Sequence, residues 1–124
     1  MGDIVFYEIQ AQPDFVNSVQ RFVRKKHFRS LPKQIEDLAL ELQQGNFSGD
    51  RIIHSDAPPY DVYKKRLPNP DVNVGQSNGY RVIYLAEHAN RIIALLAIYY
   101  KKEDEELADT YIEWLIEGFF ASYN

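Results

Sequence analysis

The sequence predicts an α+β fold in a single domain spanning residues 1–124, with elements in the order β-α-α-β-β-β-α. Short β-branched and aromatic runs, typical of strands, occur near the N-terminus and again between residues 60 and 100. Between them, and again at the C-terminus, apolar residues recur at helical spacing. A chain of 124 residues can bury one substantial core and is too short for two domains of ordinary size.

The first predicted strand covers residues 4–9, and a helical hairpin follows it. Pro13 and Asp14 open the first helix, whose apolar residues recur at i, i+1, i+4, i+7 and i+8: Phe15, Val16, Val19, Phe22 and Val23. In the second helix Ser30 is the predicted N-cap, Pro32 lies in the first turn and Gly45 ends the helix. Its buried stripe is predicted to be Ile35, Leu38, Ala39 and Leu42.

Three strands are predicted after the hairpin. Residues 46–59 are predicted to be a loop and 60–67 a strand, in which Lys64 and Arg66 share one face and Lys65 lies on the other. A turn-rich connection, 68–79, leads to two adjacent strands, 79–84 and 92–100. An arginine, Arg81, interrupts the first of these, and a tyrosine–lysine cluster ends the second. These polar groups suit a phosphate-handling cleft better than a packed core.

The last element is a helix predicted to begin at Glu103. Its shared face is Leu107, Tyr111, Trp114, Leu115 and Gly118. Acidic residues near its start suit a helix N-terminus. We expect Tyr111 and Trp114 to belong to the core.

The net charge of −4 is unevenly distributed along the chain. Residues 103–124 hold seven acidic residues and no basic one, which leaves a body of +3. That body contains two basic clusters: Arg21, Arg24, Lys25, Lys26, Arg29 and Lys33, and then Lys64, Lys65 and Arg66. A local basic patch can bind phosphates even where the total charge is negative.

Other features limit the class of protein. There is no cysteine, and His27, His54 and His88 lack ligand spacing, so we expect neither a metal site nor a cofactor. The N-terminus lacks the pattern of a signal peptide, and no apolar run is long enough to span a bilayer. We therefore expect a cytoplasmic protein that does not engage a membrane.

Three segments in order resemble the RelE/ParE superfamily of bacterial type II toxins, particularly its RelE and HigB members. They are Val62-Tyr63-Lys64-Lys65-Arg66-Leu67, Gly75-Gln76-Ser77-Asn78-Gly79-Tyr80-Arg81-Val82-Ile83-Tyr84 and Leu95-Leu96-Ala97-Ile98-Tyr99-Tyr100-Lys101-Lys102. The resemblance implies a twisted, mainly antiparallel four-stranded sheet packed by the helical hairpin. It also implies a ribosome-dependent mRNA endonuclease without a cofactor, in which a ribose 2′-hydroxyl attacks the adjacent phosphate.

The resemblance assigns roles to individual residues. Arg81 matches the family's phosphate-binding arginine, Lys64 and Arg66 its basic strand pair, and Lys102 the basic residue after the last strand. Tyr99 or Tyr100 lies where members place a catalytic aromatic residue or histidine, and only one of the two can face the cleft. The residues expected to contact RNA nearby are Lys65, Lys101, Arg24 and Lys25.

The sequence leaves two other functions open. ParE-like relatives inhibit DNA gyrase, and a catalytically decayed member would only bind an antitoxin. Arg66 stands where some relatives use a lysine as a general base, and an arginine is a poor base. The expected partners are a cognate antitoxin protein, with the surface near Trp114 as its candidate site, and the ribosome with its mRNA.

Overall fold

A computed structural model describes residues 6–123 as an α+β fold with a five-stranded mixed sheet and three α-helices. In chain order the elements are β1 (Glu8–Ala11), α1 (Pro13–Arg24), α2 (Leu31–Gln43), β2 (Asp50–Asp56), β3 (Pro59–Leu67), β4 (Tyr80–Glu87), β5 (Ile92–Tyr100) and α3 (Asp109–Tyr123). Two short 3₁₀ helices, Pro70–Val72 and Gln76–Asn78, lie within the connection predicted to be rich in turns. The α+β class is thus confirmed.

The predicted four-stranded, mainly antiparallel sheet is wrong in strand number and order. The strands lie in the order β1-β5-β4-β3-β2, with β1 parallel to β5 and every other pair antiparallel. The extra strand, β2, occupies half of the segment 46–59, for which the sequence predicts a loop. It is an edge strand that is mostly exposed, so it lacks the apolar alternation from which a strand is recognised.

The helical hairpin covers one face of the sheet, as expected. Phe15 and Phe22 of α1 and Leu38 and Leu42 of α2 pack against alternate residues of the central strands, among them Tyr84. The second helix begins after Ser30 and ends before Gly45, whose positive φ of 80° reverses the chain. The Ser30 hydroxyl makes no cap hydrogen bond and instead donates to Asp71, 2.9 Å away.

The opposite face of the sheet is covered by α3, which buries Ile112, Leu115, Ile116 and Phe119. The prediction that the helix begins at Glu103 is wrong, because α3 begins at Asp109 and residues 103–108 form a separate connection. The prediction that Tyr111 and Trp114 are core residues is also wrong. Their exposed fractions are 38% and 61%, and their rings stack on each other at the surface.

The N-terminal strand is only partly comparable with its prediction. Residues 4 and 5 of the predicted strand lie outside the described residues, and the strand observed is Glu8–Ala11. Within residues 6–123, no helix combines the length and the apolar character that crossing a membrane requires.

Candidate functional site

The register of β3, β4 and β5 brings four of the predicted residues to the face of the sheet on which α3 lies. Arg66 is opposite Arg81, and Arg81 is opposite Tyr99. Lys64 is two residues before Arg66 and therefore points to the same side. We call Lys64, Arg66, Arg81 and Tyr99, together with Glu106, the basic cluster.

Arg81 is the buried member of the basic cluster, with an exposed fraction of only 3%. Its guanidinium donates hydrogen bonds to the main-chain oxygens of Gln76 and Ser77, both 2.8 Å away, and of Tyr80 at 3.2 Å. Burial, and then the nearby Arg66 charge, lower the pKa of Arg81. The Arg81 side chain thus anchors the 3₁₀ turn before β4 to the sheet. It influences the other residues of the basic cluster mainly through its positive charge.

Gly79 lies two residues before Arg81, at a point where the chain is tightly packed. A Cβ at Gly79 would collide with the main-chain oxygen of Leu67 and lie 2.9 Å from that of Gly75. Gly79 is itself buried at the start of β4. Glycine is therefore required at position 79 by the close approach of the chain there to the end of β3.

Tyr99 and Tyr100 point to opposite faces of the sheet. Tyr99 belongs to the α3 side and interacts with the Lys64 ammonium, while burial raises the pKa of its phenol. Tyr100 is buried among Phe28 and Tyr80 in the core under the helical hairpin. Of the two tyrosines, only Tyr99 lies in the basic cluster.

Glu106 completes the basic cluster and was not selected from the sequence. One of its carboxylate oxygens lies 2.8 Å from Lys64 Nζ. The hydrogen bond between them raises the pKa of Lys64 and lowers the pKa of Glu106, so both groups are charged at neutral pH. In the sequence Glu106 is one acid among several, and only the tertiary structure sets it apart.

The acidic connection that contains Glu106 binds basic groups along its length. Glu103 lies 2.9 Å from Lys26 Nζ, and Asp104 lies 3.2 Å from an Arg21 nitrogen. Asp104 also accepts a hydrogen bond of 2.9 Å from the main-chain N–H of Tyr100. Residues 103–106, which we call the acidic connection, therefore neutralise cations from α1 and β3.

The other predicted RNA contacts are dispersed. Lys65 lies on the hairpin side of β3, away from Lys64. Lys101 and Lys102 lie in the turn after β5, where their N–H groups donate to the oxygens of Gly79 and Asn78, and both side chains are exposed. Of the two, Lys101 is close enough to Glu106 to contribute to lowering the pKa of that carboxyl group.

Arg24 and Lys25 are exposed at the C-terminal end of α1. Both precede the acidic connection's partner Lys26 in the chain. They can therefore extend a basic surface along α1, but they do not belong to the basic cluster.

Residues 6–123 contain no set of three or more His, Cys, Asp or Glu side chains arranged to hold a metal ion.

The basic cluster has groups for binding an anion and for moving protons. Lys64 and the exposed Arg66 are cations suited to phosphate oxygens. The Tyr99 phenol keeps its proton at neutral pH and is able to donate it. Glu106 is the carboxylate of the cluster, and its hydrogen bond to Lys64 makes it less basic while the pair is intact. The cluster thus has the group types that metal-independent phosphoryl chemistry requires.

Comparison with protein-family models gives no match for this chain. Comparison with curated proteins gives no match either.

Proposed function

We propose that this chain is a toxin of the RelE/ParE type, a metal-independent endonuclease that cuts mRNA on the ribosome. The observation that supports the proposal is the convergence of Lys64, Arg66, Arg81 and Tyr99, from three strands, on one face of the sheet. A buried arginine, Arg81, and a buried phenol, Tyr99, beside two further cations are unusual, since burying each polar group costs desolvation. A role in binding and cleaving RNA accounts for that cost.

In the proposed reaction the ribose 2′-oxygen attacks the adjacent phosphorus and the bond from phosphorus to the 5′-oxygen breaks. Lys64 and Arg66 hold the non-bridging oxygens and stabilise the charge that develops on them. Glu106, which the phosphate displaces from Lys64, accepts the proton of the 2′-hydroxyl. Tyr99 donates its proton to the departing 5′-oxygen, which yields a cyclic phosphate and a free 5′-hydroxyl.

Arg81 has a positioning role in this proposal. Its guanidinium is bonded to carbonyl oxygens and is scarcely exposed, so it holds the 3₁₀ turn and β4 in place beneath the phosphate. Lys102 lies in the turn beyond β5 and is free to contact RNA outside the scissile bond. Tyr100 packs in the core and stabilises the hairpin side of the sheet.

Because of the acidic connection, we expect the free protein to bind RNA weakly. A phosphate must displace Glu106 from Lys64 before that lysine can bind it. The ribosome and an mRNA in place there supply many phosphate contacts, whose combined energy can drive the displacement. We propose that a cognate antitoxin binds the exposed Tyr111–Trp114 pair on α3 and keeps the toxin silent.

Controlled induction of the protein in bacteria tests the proposal. We expect growth arrest and cleaved transcripts with wild type, and loss of both with Lys64→Gln or Arg66→Gln. Lys65→Gln is the matched control, because it removes the same charge from the same strand on the opposite face. Equal toxicity of Lys64→Gln, Arg66→Gln and Lys65→Gln would refute the assignment of the basic cluster.

One observation favours a second candidate, a member of the same fold that only binds an antitoxin. Arg81 is fully engaged by main-chain oxygens and Lys64 is paired with Glu106, so few cations of the cluster are immediately available. This candidate predicts a folded protein whose induction leaves growth and transcripts unchanged. Growth arrest with intact transcripts and induced DNA damage signalling would instead indicate gyrase inhibition.

A further inference from the structure

A second group of polar side chains surrounds Asp61, near the start of β3 and on the opposite side of that strand from Lys64. Asp61 is 8% exposed. One of its oxygens lies 2.7 Å from His54 Nδ1 and the other 2.8 Å from His88 Nε2. The second nitrogen of His88 lies 2.9 Å from the Tyr7 hydroxyl. The carboxylate thus fixes two imidazole rings at once.

A β-bulge places an arginine beside this histidine–aspartate pair. In a regular strand, residues three apart point to opposite faces. The register of β2 shifts between Arg51, which is opposite Tyr63, and Ile53, which is opposite Val62. Arg51 therefore faces the same side as His54, and its Nη1 lies 3.6 Å from the Asp61 oxygen that contacts His54. Bulges of this kind commonly redirect a side chain beside a functional site.

Each ring nitrogen of His54 faces a carboxylate oxygen. Its Nδ1 faces Asp61, and its Nε2 lies 2.9 Å from an oxygen of Asp56. A ring with a carboxylate at each nitrogen is favoured in the doubly protonated form, and these hydrogen bonds, that of Asp61 first, raise the pKa of His54. The two carboxylates differ in burial, because the Asp56 side chain is 92% exposed.

We propose that Arg51 and His54, supported by Asp61, form a binding site for a phosphoryl group, separate from the basic cluster. In the structure, the Asp56 carboxylate occupies the position at His54 Nε2 that a phosphate oxygen would take. Because Asp56 is on the surface, a ligand displaces it without breaking the bond from His54 to Asp61. The exposed Arg51 then offers its fork of N–H donors to the other oxygens.

The geometry favours phosphate over a ligand with a single hydrogen-bond acceptor. Arg51 and His54 lie on one face of the edge strand β2, beside the same Asp61 oxygen, and together they offer several N–H donors, which suits an anion with several acceptor oxygens. The buried Asp61 is hydrogen-bonded to both histidines; it orients the His54 ring and favours its protonated form, as a carboxylate does for a ligating or catalytic imidazole. This inference does not depend on the proposed toxin function.

The experiment is a titration of the whole protein with inorganic phosphate, at a pH below the ordinary histidine value of 6.5, followed by NMR. We expect the ring signals of His54 and the amide signals of β2 to move and saturate. Arg51→Gln should weaken phosphate binding by about tenfold, the typical effect of one charge-assisted hydrogen bond. His54→Gln should abolish the shifts of the β2 amides, and Asp56→Asn should tighten binding because the competing carboxylate is gone.

Arg91→Gln is the control, because it removes an exposed arginine in the turn between β4 and β5 and should leave phosphate affinity unchanged. The absence of any shift at His54 in wild type would overturn the proposal, as would equal affinities of wild type, Arg51→Gln and Arg91→Gln. Parallel titration with adenosine 5′-monophosphate distinguishes two sources of the phosphoryl group. Tighter binding than phosphate would identify a nucleotide, and equal binding would identify phosphate itself. Amide spectra of each variant establish that it is folded.

Discussion

Replacing Arg81 by methionine tests whether this arginine stabilises the fold or serves mainly to bind phosphate. Methionine has a similar length and no donors, so Arg81→Met removes three hydrogen bonds to main-chain oxygens while keeping most of the volume. Hydrogen bonds from a charged group contribute about 1.5–3 kcal/mol each. Two acceptors, on Gln76 and Ser77, belong to exposed residues and can bind water instead. The substitution also removes the desolvation cost that lowers the pKa of Arg81.

Subtracting these compensations, we expect Arg81→Met to lower the free energy of unfolding by about 2 kcal/mol, roughly a thirtyfold change in the folding equilibrium. Urea unfolding followed by circular dichroism measures the change. The matched control is Arg66→Met, the exposed cross-strand neighbour of Arg81, for which we expect a change within about 0.5 kcal/mol. Equal stabilities of the two variants would refute this account. An Arg81→Met protein that was as stable as wild type but had lost toxicity would indicate that Arg81 binds phosphate directly.

Three further predictions concern stability. Tyr84→Phe should cost about 1 kcal/mol in urea unfolding, because the buried Tyr84 hydroxyl donates a 2.6 Å hydrogen bond to the Ser48 oxygen. Gly49→Ala should destabilise by about 2 kcal/mol or more by the same measurement, because the φ of Gly49 is 105° and the added Cβ would lie 2.6 Å from a main-chain oxygen of β3. The raised pKa of His54 gives stability that is present below 6.5 and is lost as pH rises through the folded value. Melting temperatures measured from below pH 6.5 upward should fall in wild type and should fall less in Asp61→Asn. Parallel profiles of melting temperature against pH for the two proteins would contradict this.

The elements that could be predicted from the sequence are those whose pattern is local. The spacing of Phe15 and Phe22 on α1, and the Pro32 and Gly45 signals around α2, identify the helical hairpin. The uninterrupted apolar run of β5 likewise identifies a fully buried strand. By contrast, β2 is held by its pairing with β3 and not by apolar burial of its own, so its sequence resembles a loop.

The errors at the C-terminus have a different physical cause. Acidic residues from Glu103 onward are typical of a helix start, but here their carboxylates bind Lys26, Arg21 and Lys64, which are distant in the chain. Apolar residues occur on all sides of α3. The helical periodicity therefore shows which residues share a face but does not show which face is buried. Trp114 was therefore assigned to the core although it lies on the surface.

The candidate site could be predicted from the sequence only where its residues are related by strand geometry. The pleat alone places Lys64 and Arg66 on one side of β3, and the register needed to bring Arg81 and Tyr99 beside them follows from antiparallel pairing. The pairing of Lys64 with Glu106, and that of Asp61 with His88, depend on contacts between residues that are far apart in the chain. No spacing rule relates such residues.

The parallel pairing of β1 with β5 constrains the order in which the protein is assembled. Glu8 is in register with Ile92, so this contact closes a loop that contains most of the chain. The antiparallel strands from β2 to β5 are joined by shorter connections, and closing them costs less entropy. We expect β1 to dock late, after β5 has been synthesised, and to contribute mainly to the rate of unfolding. During translation β1 would thus be made well before β5, and it would stay without that partner strand until β5 emerges.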